Sequence, residues 1–102
     1  MFQDFEKMLL FKTADNDMAM YPVSALQEMN GGTNEVVLKF NTTNTAVETV
    51  TLGCVADTEL DVIKSIIRLI NNKNANNDGA LLVYDKIANK GADKNINNVT
   101  IE

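Results

Sequence analysis

Apolar and polar positions follow a strand-like period up to Val55, a helical period from Thr58 to Asn72, and short apolar runs thereafter. Met8–Thr13 (MLLFKT) is apolar on both alternating faces, as expected of a central strand or one covered on both sides. Ala14–Asp17 supplies turn residues, and Met18–Val23 resumes an extended pattern that Pro22, lacking an amide hydrogen, confines to an edge or a strand end. Ser24–Met29 fits either a helical turn or a strand with Leu26 and Met29 inward, and Asn30-Gly31-Gly32 predicts a turn. Val36, Leu38 and Phe40 then share one face of Glu35–Phe40, and Val50, Leu52 and Cys54 share one face of Val47–Val55. With only NTTNTA between them, these segments predict an antiparallel hairpin whose two apolar faces pack together.

The helix is the most legible element. Leu60, Val62, Ile63, Ile66, Ile67, Leu69 and Ile70 sweep about half of its circumference, and only Glu59 intrudes. Thr58 is placed to cap it, with Asp61 as a capping-box partner; Asp57, Glu59 and Asp61 suit the positive end of the helix dipole. Beyond it, Asn71–Asp78 predicts a polar loop and Ala80–Tyr84 a strand apolar on both faces. Asp85–Asn98 reads as mostly irregular, anchored by Ile87 and Ile96, and Val99 and Ile101 suggest a short last strand. The pattern predicts a single α+β domain over residues 1–102. Its expected architecture is an antiparallel sheet, or a small partly open barrel of about five to seven strands, with one helix near 58–72 and then one or two strands.

A helix on one sheet needs an apolar stripe of roughly 100°, and this stripe is nearer 180°. Together with Met8–Phe11 and Leu81–Tyr84, it implies more apolar surface than one helix–sheet interface covers. Either the sheet curls around the helix or the surplus meets another subunit. The second reading makes Val62, Ile66 and Leu69 the candidate interface.

Composition narrows the chemistry. The net charge is −5, no histidine is present, and Arg68 is the only arginine. The lysines are dispersed, so nucleic acid is an unfavoured partner. Without histidine, the commonest general base and metal ligand are missing, and the single Cys54 sits in an apolar strand pattern as an inert thiol. No cofactor, metal site or catalytic residue is assigned, and no enzyme activity is expected. No secretory signal or membrane span is expected either, and the sequons at Asn41 and Asn98 are read as chance matches.

Four other candidates have simpler explanations. Asp15 and Asp17 form a solvated turn, lacking the further ligands of a calcium loop. Asp57, Glu59 and Asp61 diverge around the helix. Asn30-Gly31-Gly32-Thr33 lacks a phosphate-loop lysine and leads into a strand. Phe11, Tyr21, Phe40 and Tyr84 could stack bases, but two of them sit in apolar strand patterns and are more simply core.

With these elements placed, the segments MLLFKTADNDMAMYPVSAL, VETVTLGCVAD, TELDVIKSIIRLI and NNVTIE come in a recognisable order. The chain resembles short uncharacterised proteins of marine tailed bacteriophages, including cyanophages, often encoded near virion structural genes. The resemblance implies a virion accessory component such as a capsid decoration protein, with itself and capsid or other virion proteins as partners. It transfers no functional residues. The location it implies is the virion; otherwise the cytoplasm is expected. The alternative is a small binding module for single-stranded nucleic acid or a ligand.

Overall fold

The structure, a computed structural model, describes residues 7–41, 47–71 and 80–101. In these residues the chain forms β1 (Met8–Ala14), β2 (Asp17–Pro22), a 3-10 turn (Val23–Ala25), β3 (Leu26–Gly32), β4 (Glu35–Asn41) and β5 (Val47–Cys54). Helix α1 (Glu59–Asn71) follows, then β6 (Ala80–Asp85), β7 (Lys90–Gly91) and β8 (Ile96–Ile101). The strands make two sheets, ordered β2-β1-β6-β7 (sheet A) and β3-β4-β5-β8 (sheet B).

The α+β class holds, but the expected single antiparallel sheet or partly open barrel does not. Among the described residues eight strands form two sheets, three strands follow the helix, and β1 pairs with β6 in parallel. A parallel pair cannot be closed by a tight turn, and β1 and β6 have β2 to β5 and α1 between them in the chain. Residue patterns encode the faces of a strand but not its neighbour.

Locally, most segments lie where the alternation put them. In the β4–β5 hairpin Val36 pairs with Leu52 and Leu38 with Val50, and these four side chains, with Phe40 and Cys54, are buried. Its connecting loop, residues 42–46, and most of the Asn-rich loop, residues 72–79, lie outside the described residues. Pro22 ends an edge strand, as its missing donor requires. Ser24–Met29 divides between both options, a 3-10 turn and then β3, with Leu26 and Met29 packed on the core.

Three expectations need correction. Gly31 and Gly32 are strand residues, paired with Val36 and Glu35, and the turn falls on Thr33-Asn34, where Asn34 takes φ 60°. Asparagine tolerates that left-handed conformation, so the turn did not need the glycines. Asp85–Asn98 is more ordered than its composition suggests, since it contains β7 and the start of β8. Ile96 is an anchor, 2% exposed, whereas Ile87 is 55% exposed.

Helix α1 lies against β3, β4 and β6. Thr58 sits at its cap: its carbonyl accepts the Val62 N–H at 3.0 Å, while its hydroxyl donates to the Val55 carbonyl at 2.6 Å. The hydroxyl thus ties the helix to the preceding turn, a different bond from that of a capping box. Glu59 is no intruder, because its carboxylate accepts the backbone N–H of Asn34 at 2.8 Å and joins the helix to the β3–β4 turn. At the other end Lys7 Nζ donates to the Ile70 carbonyl at 2.9 Å, a cation at the negative end of the dipole.

One core joins the layers. Leu9, Phe11, Tyr21, Leu81, Val83 and Tyr84 of sheet A meet the inner face of sheet B and Val62 and Ile66 of the helix. Tyr21 and Phe40 stack across the sheets at 4.5 Å, with Phe11 6.0 Å from each. Tyr21 donates to Glu48 Oε1 at 2.8 Å. Burial, then that hydrogen bond and the Glu48 charge, push its phenol pKa upward.

A polar tie fixes the helix to the β7–β8 loop. Ser65, buried on α1, donates to Asp93 Oδ2 at 2.5 Å, and the Asn95 N–H donates to Asp93 Oδ1 at 2.8 Å. Partial burial acts to raise the Asp93 pKa, but the hydrogen bonds from Ser65 and Asn95, with the Lys94 charge, hold it below the usual carboxylate range. A depressed folded-state pKa contributes stability that is present above the unfolded value, near 3.9, and is lost as pH falls through the folded value. Asp93→Asn is therefore expected to cost about 1 kcal/mol at pH 7 and to flatten the acid limb. Urea midpoints measured from pH 7 down to pH 3 check this; equal acid slopes would show the tie to be energetically silent.

Candidate interaction surface

The two sheets differ in what they turn outward. Along β1, Leu9 and Phe11 face the core, leaving Met8, Leu10 and Lys12 on the other side. Along β2, Ala19 and Tyr21 pack inward while Met18 and Met20 point out, 52% and 50% exposed. Leu82 of β6 is outward between the buried Leu81 and Val83. Register aligns these residues: Met20, Leu10 and Leu82 form one row across three strands, flanked by Met18 beside Lys12 and by Met8 beside Pro22. The outer face of sheet A is thus mostly methionine and leucine.

Sheet B turns out the opposite character. Thr49, Thr51, Asn98 and Thr100 share its outer face with Glu28, Asn30 and Lys39. Lys39 pairs with Glu28 at 3.4 Å, and Asn30 donates to the same carboxyl group at 3.1 Å. Val37 and the 51% exposed Val47 are the apolar exceptions. A water-facing sheet surface normally looks like this one, which makes the outer face of sheet A the anomaly.

The expected interface on α1 does not survive as stated. Val62 and Ile66 are 0% exposed within the chain itself, and Leu69 packs, partly buried, against the same core. The wide stripe is explained because the helix touches strands of both sheets, with Ile63, Leu69 and Ile70 filling its flanks. Of its large apolar residues, Leu60 and Ile67 at the margins are the exposed ones. The surplus of apolar surface lies instead on β1, β2 and β6. Its signal was present in Met8–Phe11 and Leu81–Tyr84, both apolar on two faces, but the pattern could not show which face another layer would cover.

The remaining candidates resolve into structure. Asp17 accepts the Thr13 hydroxyl at 2.8 Å, closing the β1–β2 turn. Among the described residues no three His, Cys, Asp or Glu side chains are grouped to hold a metal ion. Asp57 and Glu59 border an open groove of about 580 Å³, with Gly31–Asn34 and Ile63 also lining it, but Glu59 is already engaged by Asn34. Cys54 is buried, and that burial raises its thiol pKa, with a Thr58 hydrogen bond opposing the shift. Phe11, Tyr21, Phe40 and Tyr84 are all at most 5% exposed, so none offers a ring face for a base. Among the described residues no helix is long and apolar enough to cross a membrane.

Comparison with protein-family models, with curated proteins and with solved structures finds no match to this chain.

Proposed function

We propose that the chain is a non-enzymatic structural protein acting by surface contact, a self-associating virion accessory component of the capsid-decoration kind. The observation that supports this most is the outer face of sheet A, where Met8, Leu10, Met18, Met20 and Leu82 lie together while the facing-out side of sheet B is mostly polar. A contiguous apolar patch on a small protein marks a contact site, and methionine adapts to irregular partners. The function requires shape and apolar area, with capsid or other virion proteins and further copies of the chain as partners. The resemblance in segment order to tailed-phage proteins points the same way.

The test is light scattering over a concentration series, for the natural chain and for Leu10→Lys. Leu10 lies in the middle of the face and outside the core, so the variant should keep its circular dichroism spectrum. The natural chain is expected to exceed its monomer mass of 11.2 kDa, and Leu10→Lys to shift toward smaller species. Monomeric scattering at every concentration, with no retention on tailed-phage capsid shells, would sink the reading.

A further inference from the structure

Sheet A ends on β2, and among the described residues nothing guards this edge as the other edges are guarded. Natural sheets protect their edges with short strands, charges, prolines or a covering element. β7, the other edge of sheet A, is two residues long. β3, one edge of sheet B, carries Glu28 in its ion pair with Lys39, and β8, the other, lies against β1 and β6. β2 has Asp17 at one end and Pro22 at the other, but between them Met18-Ala19-Met20-Tyr21 holds neither charge nor proline.

We propose that β2 pairs antiparallel with β2 of a second copy, Ala19 lying on the two-fold axis, so that two copies of sheet A join as one continuous sheet. The register follows from the faces. Directly opposed residues in an antiparallel pair share a face. Outward Met18 must therefore oppose an outward residue, and centring on Ala19 places it against Met20 of the partner subunit. Pro22 then falls just outside the paired stretch, where its missing donor costs nothing. The two Asp17 side chains stand at opposite ends, so a chain of net charge −5 pairs without opposing like charges. The Met–Leu row of each copy continues across the junction, doubling the apolar face. This inference rests on the reading of the chain as self-associating and adds a second contact, at the β2 edge, to the one that Leu10→Lys tests on the face.

Met18→Cys and Met20→Cys, prepared separately, test the register. Both sites are half-exposed, and Cys54 is buried. In an equimolar mixture, the new thiol at position 18 of one copy opposes the one at position 20 of the other. Their Cα atoms stand about 5 Å apart, within disulfide reach. Within either variant alone, the matching thiols are offset by two residues and lie beyond the ~7 Å limit. Mild oxidation is expected to link the mixture about fivefold or more above either variant alone, and to do so also when both carry Leu10→Lys, since that change lies on β1. Equal linkage in the mixture and in the single variants overturns the edge pairing. If the natural chain still self-associates and Leu10→Lys still weakens it, only the edge assignment falls; if the chain is monomeric throughout and nothing links, the proposed function falls with it.

Discussion

Gly91→Ala is expected to lower the stability of the chain by about 3 kcal/mol, measured as a shift in urea midpoint at unchanged slope. A Cβ on residue 91 would stand 2.1 Å from the carbonyl oxygen of Val83 and 2.8 Å from Cα of Tyr84. Both are backbone atoms of β6, so no rotamer change relieves the overlap. The strands must separate, and the Ala92 N–H would lose its 2.9 Å bond to the Val83 carbonyl. With it goes the short β7, which holds the loop bearing Asp93 against α1. Gly53→Ala is the control: the atom nearest its added Cβ, at 2.9 Å, is the side-chain oxygen of exposed Asn97, which can swing away, and Asn98 Cβ, at 3.1 Å, need give by only about a few tenths of an ångström. Its cost should stay under about 1 kcal/mol. Equal costs at the two positions would show that β6 and β7 do not approach this closely.

Phe40→Ala should cost about 4 kcal/mol, within the usual range for deleting a buried phenylalanine. Phe40 is fully buried where the two sheets meet, stacked on Tyr21 and edge-on to Phe11. Its removal leaves a cavity between sheets that are each held by their own ladders and cannot collapse inward freely. Native domains are stable by only about 5–15 kcal/mol, so the variant should sit near its unfolding threshold at a temperature of about 37 °C. Phe40→Leu, which refills most of the volume, should cost about a third as much. The tyrosine signal in near-ultraviolet circular dichroism should weaken with Phe40→Ala, because Tyr21 loses its stacking partner. A loss under about 1 kcal/mol would mean that the sheets do not depend on this contact.

How much of this was legible before the structure depends on what each pattern encodes. Alternation in Glu35–Phe40 and Val47–Val55 predicts the β4–β5 hairpin because side-chain direction has period two and both strands have one wet face. The helix was legible for the same reason at its own period, including its acidic start. Partnership between distant strands was not: nothing in Met8–Ala14 states that it lies beside Ala80–Asp85, and that pairing turns one expected sheet into two. The candidate surface was half-legible. Doubly apolar strands announced surplus surface, and a helical wheel assigned it to Val62, Ile66 and Leu69 because a wheel cannot show that two layers share those residues. Gly91 was illegible, since its role is proximity to a backbone segment and leaves no trace in polarity.

The parallel β1–β6 pair also imposes an order of events during synthesis. The β1–β2 hairpin can close as soon as Pro22 is made, and the β4–β5 hairpin soon after, because each joins neighbouring segments. β1 gains its second neighbour only when β6 emerges, after the helix and most of the chain have been made. Until then Leu9 and Phe11 have an incomplete layer around them, and β1 has an open edge. A chain terminated between α1 and β6 would retain the β1–β2 hairpin, the β3–β4–β5 meander and the helix yet keep that edge open, and should be far more prone to aggregate than its length implies.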